Sequence, residues 1–106
     1  MNPGRLIEEI IEWGREKGID NPDKQTIKLM EECGELAHEI SRSRYNSDEV
    51  KDAIGDIAVV LIILADILDL DFGVCLSIAY DAIKDRTGET VDGSFIKTND
   101  EKSSLV

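Results

Sequence analysis

A chain of 106 residues, 42% hydrophobic and 33% charged, has the length and balance of one soluble globular domain. Acids outnumber Lys and Arg 23 to 12, and the net charge of −11 argues against a surface that neutralises the phosphates of a nucleic-acid polymer or an anionic membrane. A polyanion binds such a chain only through a metal.

With one Trp, two Tyr and two Phe, the core must come from Ile, Leu, Val and Ala, which suits packed helices. A core this small predicts help from a partner subunit. Cys33 and Cys75 form no CxxC pair and fall within apolar helical patterns, so they read as reduced packing residues. The N-terminus has no basic region followed by an apolar one, as a secretory signal would. The longest apolar run, Ile57 to Ala65, lies between Asp56 and Asp66 and falls well short of the about 20 residues that span a bilayer. The expectation is a cytoplasmic protein.

In chain order, Pro3 behind Asn2 opens a first helix over about 3 to 17, with Leu6, Ile7, Ile10, Ile11 and Trp13 at helical spacing and Gly18 as its stop. Trp13 is read as a core anchor or, alternatively, as a wall that stacks on a base. Asn21 or Asp23 caps a second helix, about 22 to 43, whose apolar stripe is Ile27, Met30, Cys33, Leu36, Ala37 and Ile40. Ser47 caps a third, reaching about Asp69, with Asp48 and Glu49 in its positive first turn. Its run Ile57 to Ala65 is apolar on every face, which predicts a helix buried all round and a bundle completed by oligomerisation. Asp71 caps a fourth helix of about 72 to 86. Thr90-Val91 and Phe95-Ile96 flank Asp92-Gly93, predicting a small hairpin or extended arm over 89 to 97. Residues 98 to 106 read as a flexible tail.

The chemistry is concentrated in helices two and three. Glu32 and Glu35 are three apart and Asp52 and Asp56 four apart, so each pair projects from one helix face. Two unit charges about 5 Å apart repel by roughly 3 kcal/mol at an effective dielectric of 20, so four converged carboxylates need a cation. All-oxygen ligation favours Mg²⁺, with Mn²⁺ as the other candidate. Gly34 and Gly55 precede Glu35 and Asp56; a helical glycine costs about 1 kcal/mol relative to alanine, and close backbone approach is the expected return. The bland alternative is two solvated acidic faces.

Glu31-Glu32-x-x-Glu35, followed downstream by Gly55-Asp56-Ile57, resembles the EExxE…ExxD signature of the all-α, MazG-like nucleoside triphosphate pyrophosphohydrolases. The resemblance runs from Trp13 through Lys28-Leu29 to the stretch Ala79 to Arg86, and assigns residues 1 to 97 to one such domain. It implies a helical homodimer or homotetramer that binds Mg²⁺ and splits an NTP or dNTP into monophosphate and pyrophosphate. By position, Glu32, Glu35 and Asp56 match metal ligands and Glu31 the leading Glu. The family's second-segment Glu falls on Ala53, so Asp52 is the substitute; a literal ExxD also exists at Glu49 to Asp52.

The resemblance further implies attack of a metal-bound water at the α-phosphorus, with Glu31 or Glu35 orienting or deprotonating it. Lys28, Lys84 and Arg86 are candidate phosphate ligands, the last two equally explained as a basic helix end matched to its dipole. Asp81 falls where relatives often carry Asn and bears on sugar or base contacts. His38 completes an E-x-x-H with Glu35, the spacing used in di-iron bundles, but as the one histidine it reads as a surface or outer-sphere residue. Because of Ala53, a non-catalytic helical oligomer that binds nucleotide or a protein partner is the rival reading.

Overall fold

The computed structural model describes residues 1 to 98; the tail expected over 98 to 106 lies, apart from Thr98, outside the described residues. The fold is all-α with one small hairpin: helices α1 (Pro3–Glu16), α2 (Pro22–Ser41), α3 (Asp48–Ile67) and α4 (Phe72–Ile83), then strands β1 (Gly88–Val91) and β2 (Ser94–Lys97). The chain forms two compact units, Met1 to Phe72 and a second beginning at Gly73.

In the first unit each helix starts on a side-chain cap. Asn2 Oδ1 accepts the Arg5 N–H at 2.8 Å, Asn21 Oδ1 the Lys24 N–H at 3.0 Å, and Ser47 Oγ the Val50 N–H at 3.2 Å, so Asn21 rather than Asp23 caps α2. Each helix also ends alike, on a residue in the left-handed region: Gly18 (φ 72°), Ser43 (φ 58°) and Asp69 (φ 59°). The N–H after each returns to a carbonyl five residues back, Ile19 to Gly14, Arg44 to Glu39 and Leu70 to Ala65. That closure stops α2 at Ser41, short of the expected 43.

α3 is the central helix, packed by α1 and by α2. The buried apolar residues Val50, Ala53, Val60, Ile62, Ile63 and Ala65 all belong to it. α1 crosses at Gly14, where a Cβ would sit 3.2 Å from Ile63 Cγ1; the missing side chain is what lets the two helices approach. Arg15 locks the same crossing, its Nε and Nη2 donating to the two Asp66 carboxylate oxygens at 2.9 and 2.7 Å.

α2 packs the other way round from its apolar pattern. Ile27 and Met30 are 61% and 60% exposed, whereas Gln25 and Glu32 are buried at 6% and 8%. The inward row is Gln25, Leu29, Glu32, Leu36 and Glu39, and Gln25 Nε2 donates to the Val60 carbonyl at 3.3 Å. Two acids are thus turned against α3 at the expense of apolar burial. Trp13 is likewise 48% exposed rather than a core anchor.

In the second unit, no residue of α4 is buried, and Val74, Leu76, Ile78 and Tyr80 are exposed. α4 ends at Ile83, three residues before the expected 86. The hairpin is antiparallel, pairing Gly88 with Lys97, Glu89 with Ile96, Thr90 with Phe95 and Val91 with Ser94. Asp92 (φ 50°) and Gly93 (φ 80°) form its two-residue turn, with positive φ at both positions as the twist of paired strands requires. Gly88 is obligatory, because a Cβ there would collide with the Ile96 carbonyl oxygen and lie 2.7 Å from Phe95 Cζ.

No helix among the described residues is long and apolar enough to cross a membrane.

Candidate functional site

α2 and α3 run antiparallel: Gln25 reaches Val60 near one end, and Glu39 faces the same cleft as Glu49 at the other. That cleft, about 540 Å³, is lined by Glu31, Gly34, Glu35, His38 and Glu39 from α2 and by Glu49, Asp52, Ala53 and Asp56 from α3. Six carboxylates and one imidazole therefore share one open groove, and among the described residues no Lys or Arg lines it.

Four of the expected site acids, Glu31, Glu35, Asp52 and Asp56, line this cleft. Glu32 does not; it is buried, with Oε1 3.7 Å from Lys28 Nζ and Oε2 bonded to nothing. Its charge nevertheless acts on the cleft. The Asp56 carboxyl is pushed above the usual carboxylate range by burial first, then by the charges of Asp52 and Glu32, and Lys28 only partly opposes this. Lys28, Glu32, Asp52 and Asp56 are thus one electrostatic group. Glu39 Oε2 is a second buried oxygen without a hydrogen bond, since Arg44 Nη1 stands 3.6 Å away, within ion-pair range but too far to donate well.

The acids share a cleft without forming a cage. Among the described residues no three His, Cys, Asp or Glu side chains stand together closely enough to hold one metal ion, and four-carboxylate convergence is expected only around a bound cation. Like-charge repulsion across a groove this acidic keeps the side chains apart. The donor set still fits a hard cation, because the carboxylates line both walls and a buried, unpartnered Glu32 oxygen lies within electrostatic reach of Asp56.

The two helical glycines serve a different end from the one expected. A Cβ at Gly34 or at Gly55 would meet nothing within 4 Å, so neither permits close backbone approach. At Gly34, which lines the cleft, the absent side chain keeps the groove open.

Other expected site residues lie elsewhere. Trp13 lines an apolar pocket of about 480 Å³ with Met1, Leu6, Ile10 and Val59, and Lys17 Nζ stands 6.0 Å from its ring centroid. Lys28 borders a polar pocket of about 390 Å³ with Lys24, Gln25 and the loop 18 to 21. In the second unit Asp81 and Lys84 pair with each other at 3.1 Å, and Arg86 Nη2 donates to the Ala82 carbonyl at 3.4 Å. Sequence reasoning missed Glu39 and Glu49 as lining residues. The signal was present: Glu39 follows Glu35 by one helical turn, and Glu49 precedes Ala53 by one.

Over 64 residues, 58% of its length, the chain is 42% identical to the "Uncharacterized 18.2 kDa protein in rep-hol intergenic region" of Haemophilus phage HP1 (strain HP1c1), and it spans only 38% of that protein. No solved structure matches it. The model of the MazG nucleotide pyrophosphohydrolase domain matches residues 20 to 89, which takes in α2, the acidic cleft, α3 and α4. With its paired acidic helices and two thirds of its length matched, the chain belongs to the MazG nucleotide pyrophosphohydrolase family.

Proposed function

We propose that this chain hydrolyses a nucleoside or deoxynucleoside triphosphate to the monophosphate and pyrophosphate, in a reaction that depends on Mg²⁺ or Mn²⁺. The observation that carries the reading is the two-walled acidic cleft on α2 and α3, backed by a buried Glu32 whose Oε2 has no partner. A groove of six carboxylates repels a polyphosphate unless cations intervene, so substrate and metal must bind together.

Glu32, Glu35, Asp52 and Asp56 would hold the ion, with Asp52 standing in for the acid absent at Ala53. When bound, the ion neutralises phosphate charge and lowers the pKa of its water. The chain's own part is to place and relay. Glu31 or Glu35 takes a proton from the water whose oxygen attacks the α-phosphorus; the bond from that phosphorus to the bridging oxygen breaks, and pyrophosphate leaves with the electron pair. Lys28, whose ammonium already offsets the cleft acids, is proposed as a phosphate ligand, as are Lys84 and Arg86, while Asp81 and Trp13 are proposed for sugar or base contacts. The exposed apolar residues of α2 and α4 support a homodimer or homotetramer. Clearing aberrant nucleotides from a cytoplasmic pool is the physiological role consistent with this chemistry.

The test is turnover of an NTP and dNTP panel with Mg²⁺ and with Mn²⁺. Pyrophosphate release that falls at least about 100-fold in Glu35→Gln is the expected result; release of orthophosphate alone contradicts the reaction class. One observation favours a second reading. Ala53, buried at 5%, stands where the family motif carries Glu. Nucleotide-dependent thermal stabilisation without turnover would make the chain a non-catalytic nucleotide-binding oligomer.

A further inference from the structure

The face of α2 that lines the cleft does not end with the acids. Glu31, Glu35 and His38 stand on it at steps of four and three residues, and the same alternation taken backwards reaches Lys28 and then Lys24. At 1.5 Å per residue, the row from Glu31 back to Lys24 covers about 10 Å of helix. Lys24 and Lys28 together line a polar pocket of about 390 Å³ with the buried Gln25 and the loop 18 to 21, and Asp20 is the one acid in that lining. One edge of α2 thus passes from carboxylates to two ammonium groups, in a chain where acids outnumber Lys and Arg 23 to 12.

The two lysines differ in what they already hold. Lys28 belongs partly to the cleft: its Nζ stands 3.7 Å from Glu32 Oε1, and its charge is felt at Asp56. The Lys24 side chain makes no ion pair and no hydrogen bond among the described residues; only its backbone N–H is engaged, by Asn21 Oδ1 at 3.0 Å. The backbone at the start of α2 adds little for an anion, since that N–H is taken and Pro22 has none. The free positive charge is on the side chains.

We infer that Lys24, together with Lys28, seats the two terminal phosphates of the substrate and so makes the site select a triphosphate over a diphosphate. This rests on the pyrophosphohydrolase reading of the cleft and goes beyond it in assigning Lys24. Attack at the α-phosphorus makes the β- and γ-phosphates the leaving pyrophosphate. Six carboxylates line the cleft and no Lys or Arg does, so phosphates that extend past the acids gain most by running along α2 toward the two ammonium groups. A lysine is a point charge on a flexible stem, suited to a phosphate whose oxygens exchange places as pyrophosphate leaves.

Isothermal titration of the full chain with inorganic tripolyphosphate in Mg²⁺ reads the seat without turnover. Affinity about tenfold weaker in Lys24→Gln, and recovered in Lys24→Arg, is the expected result. In kinetics, the KM for a nucleoside triphosphate should rise about tenfold in Lys24→Gln, and the preference over the corresponding diphosphate should shrink with it. Lys24 is exposed and its side chain is unbonded, so the variant keeps its fold, which a thermal melt verifies. Equal tripolyphosphate affinity in the wild type and Lys24→Gln, or none in either, overturns the seat; pyrophosphate release from the nucleotide panel would then leave the enzyme standing. Lys24-dependent affinity without turnover of any nucleotide upholds the seat and overturns the hydrolysis.

Discussion

At the scale of single residues, two carboxyls on α3 are driven in opposite directions. Asp66 is held below the usual carboxylate range chiefly by its hydrogen bonds from the Arg15 guanidinium, which outweigh the opposing effect of burial, with the charge of Arg15 adding the least. A depressed folded-state value means that the pair stabilises the fold above about pH 4, the ordinary value of Asp, and that this contribution is lost as the pH falls through the lowered one. Arg15 is largely exposed, so the effect is modest and screened by salt. Asp66→Asn should therefore lower the melting temperature at pH 7 and leave it unchanged near pH 2, as read by circular dichroism melts across that range. Asp56 has the reverse sign. Raised by burial and by its acidic neighbours, it costs stability when ionised and is relieved as the pH falls. The EExxE pattern made these acids visible in the sequence, whereas their unequal environments depend on which lie beneath the cleft surface and which line it.

At the scale of elements, helix starts and stops were largely written in local chemistry. Asn2, Asn21 and Ser47 are ordinary N-cap residues with helical patterns after them, and Asp92-Gly93 is a two-residue hairpin turn that depends only on its own backbone. The phase of α2 was not legible. Its apolar stripe pointed to Ile27 and Met30 as core, yet Gln25 and Glu32 are the buried positions. The competing principle is the satisfaction of buried polar groups: Gln25 finds the Val60 carbonyl and Glu32 the Lys28 ammonium, which offsets part of the cost of facing them inward. The α1 and α3 crossing gives a direct test of packing. A Cβ at Gly14 already presses on Ile63, so Gly14→Leu should destabilise the fold by about 1–3 kcal/mol, measured by urea denaturation, whereas the same change at Gly34 meets open space and should cost far less.

At the scale of the whole molecule, the apolar surface left uncovered is the main unanswered load. Ile27 and Met30 on α2 and Val74, Leu76, Ile78 and Tyr80 on α4 are exposed, in a chain with a net charge of −11 that would otherwise favour a soluble monomer. Sedimentation velocity at micromolar concentration should accordingly give a dimer or tetramer, more firmly in added salt as charge repulsion is screened. A single sharp monomer would contradict the oligomer.

By itself the sequence determined the helix boundaries within a few residues, the hairpin turn, the family, and the two acidic segments as the place to look. These follow from interactions within a turn or two of chain, where cap, periodicity and motif act on near neighbours. The tertiary structure alone decided which acids share the cleft, that Glu39, Glu49 and His38 join it while Trp13 does not, and that Glu32 lies buried with one oxygen unpartnered. The reason is physical. The rotation of one helix against another is set by packing and polar satisfaction summed over the whole contact, and a helix with both an apolar and an acidic face can turn either one inward.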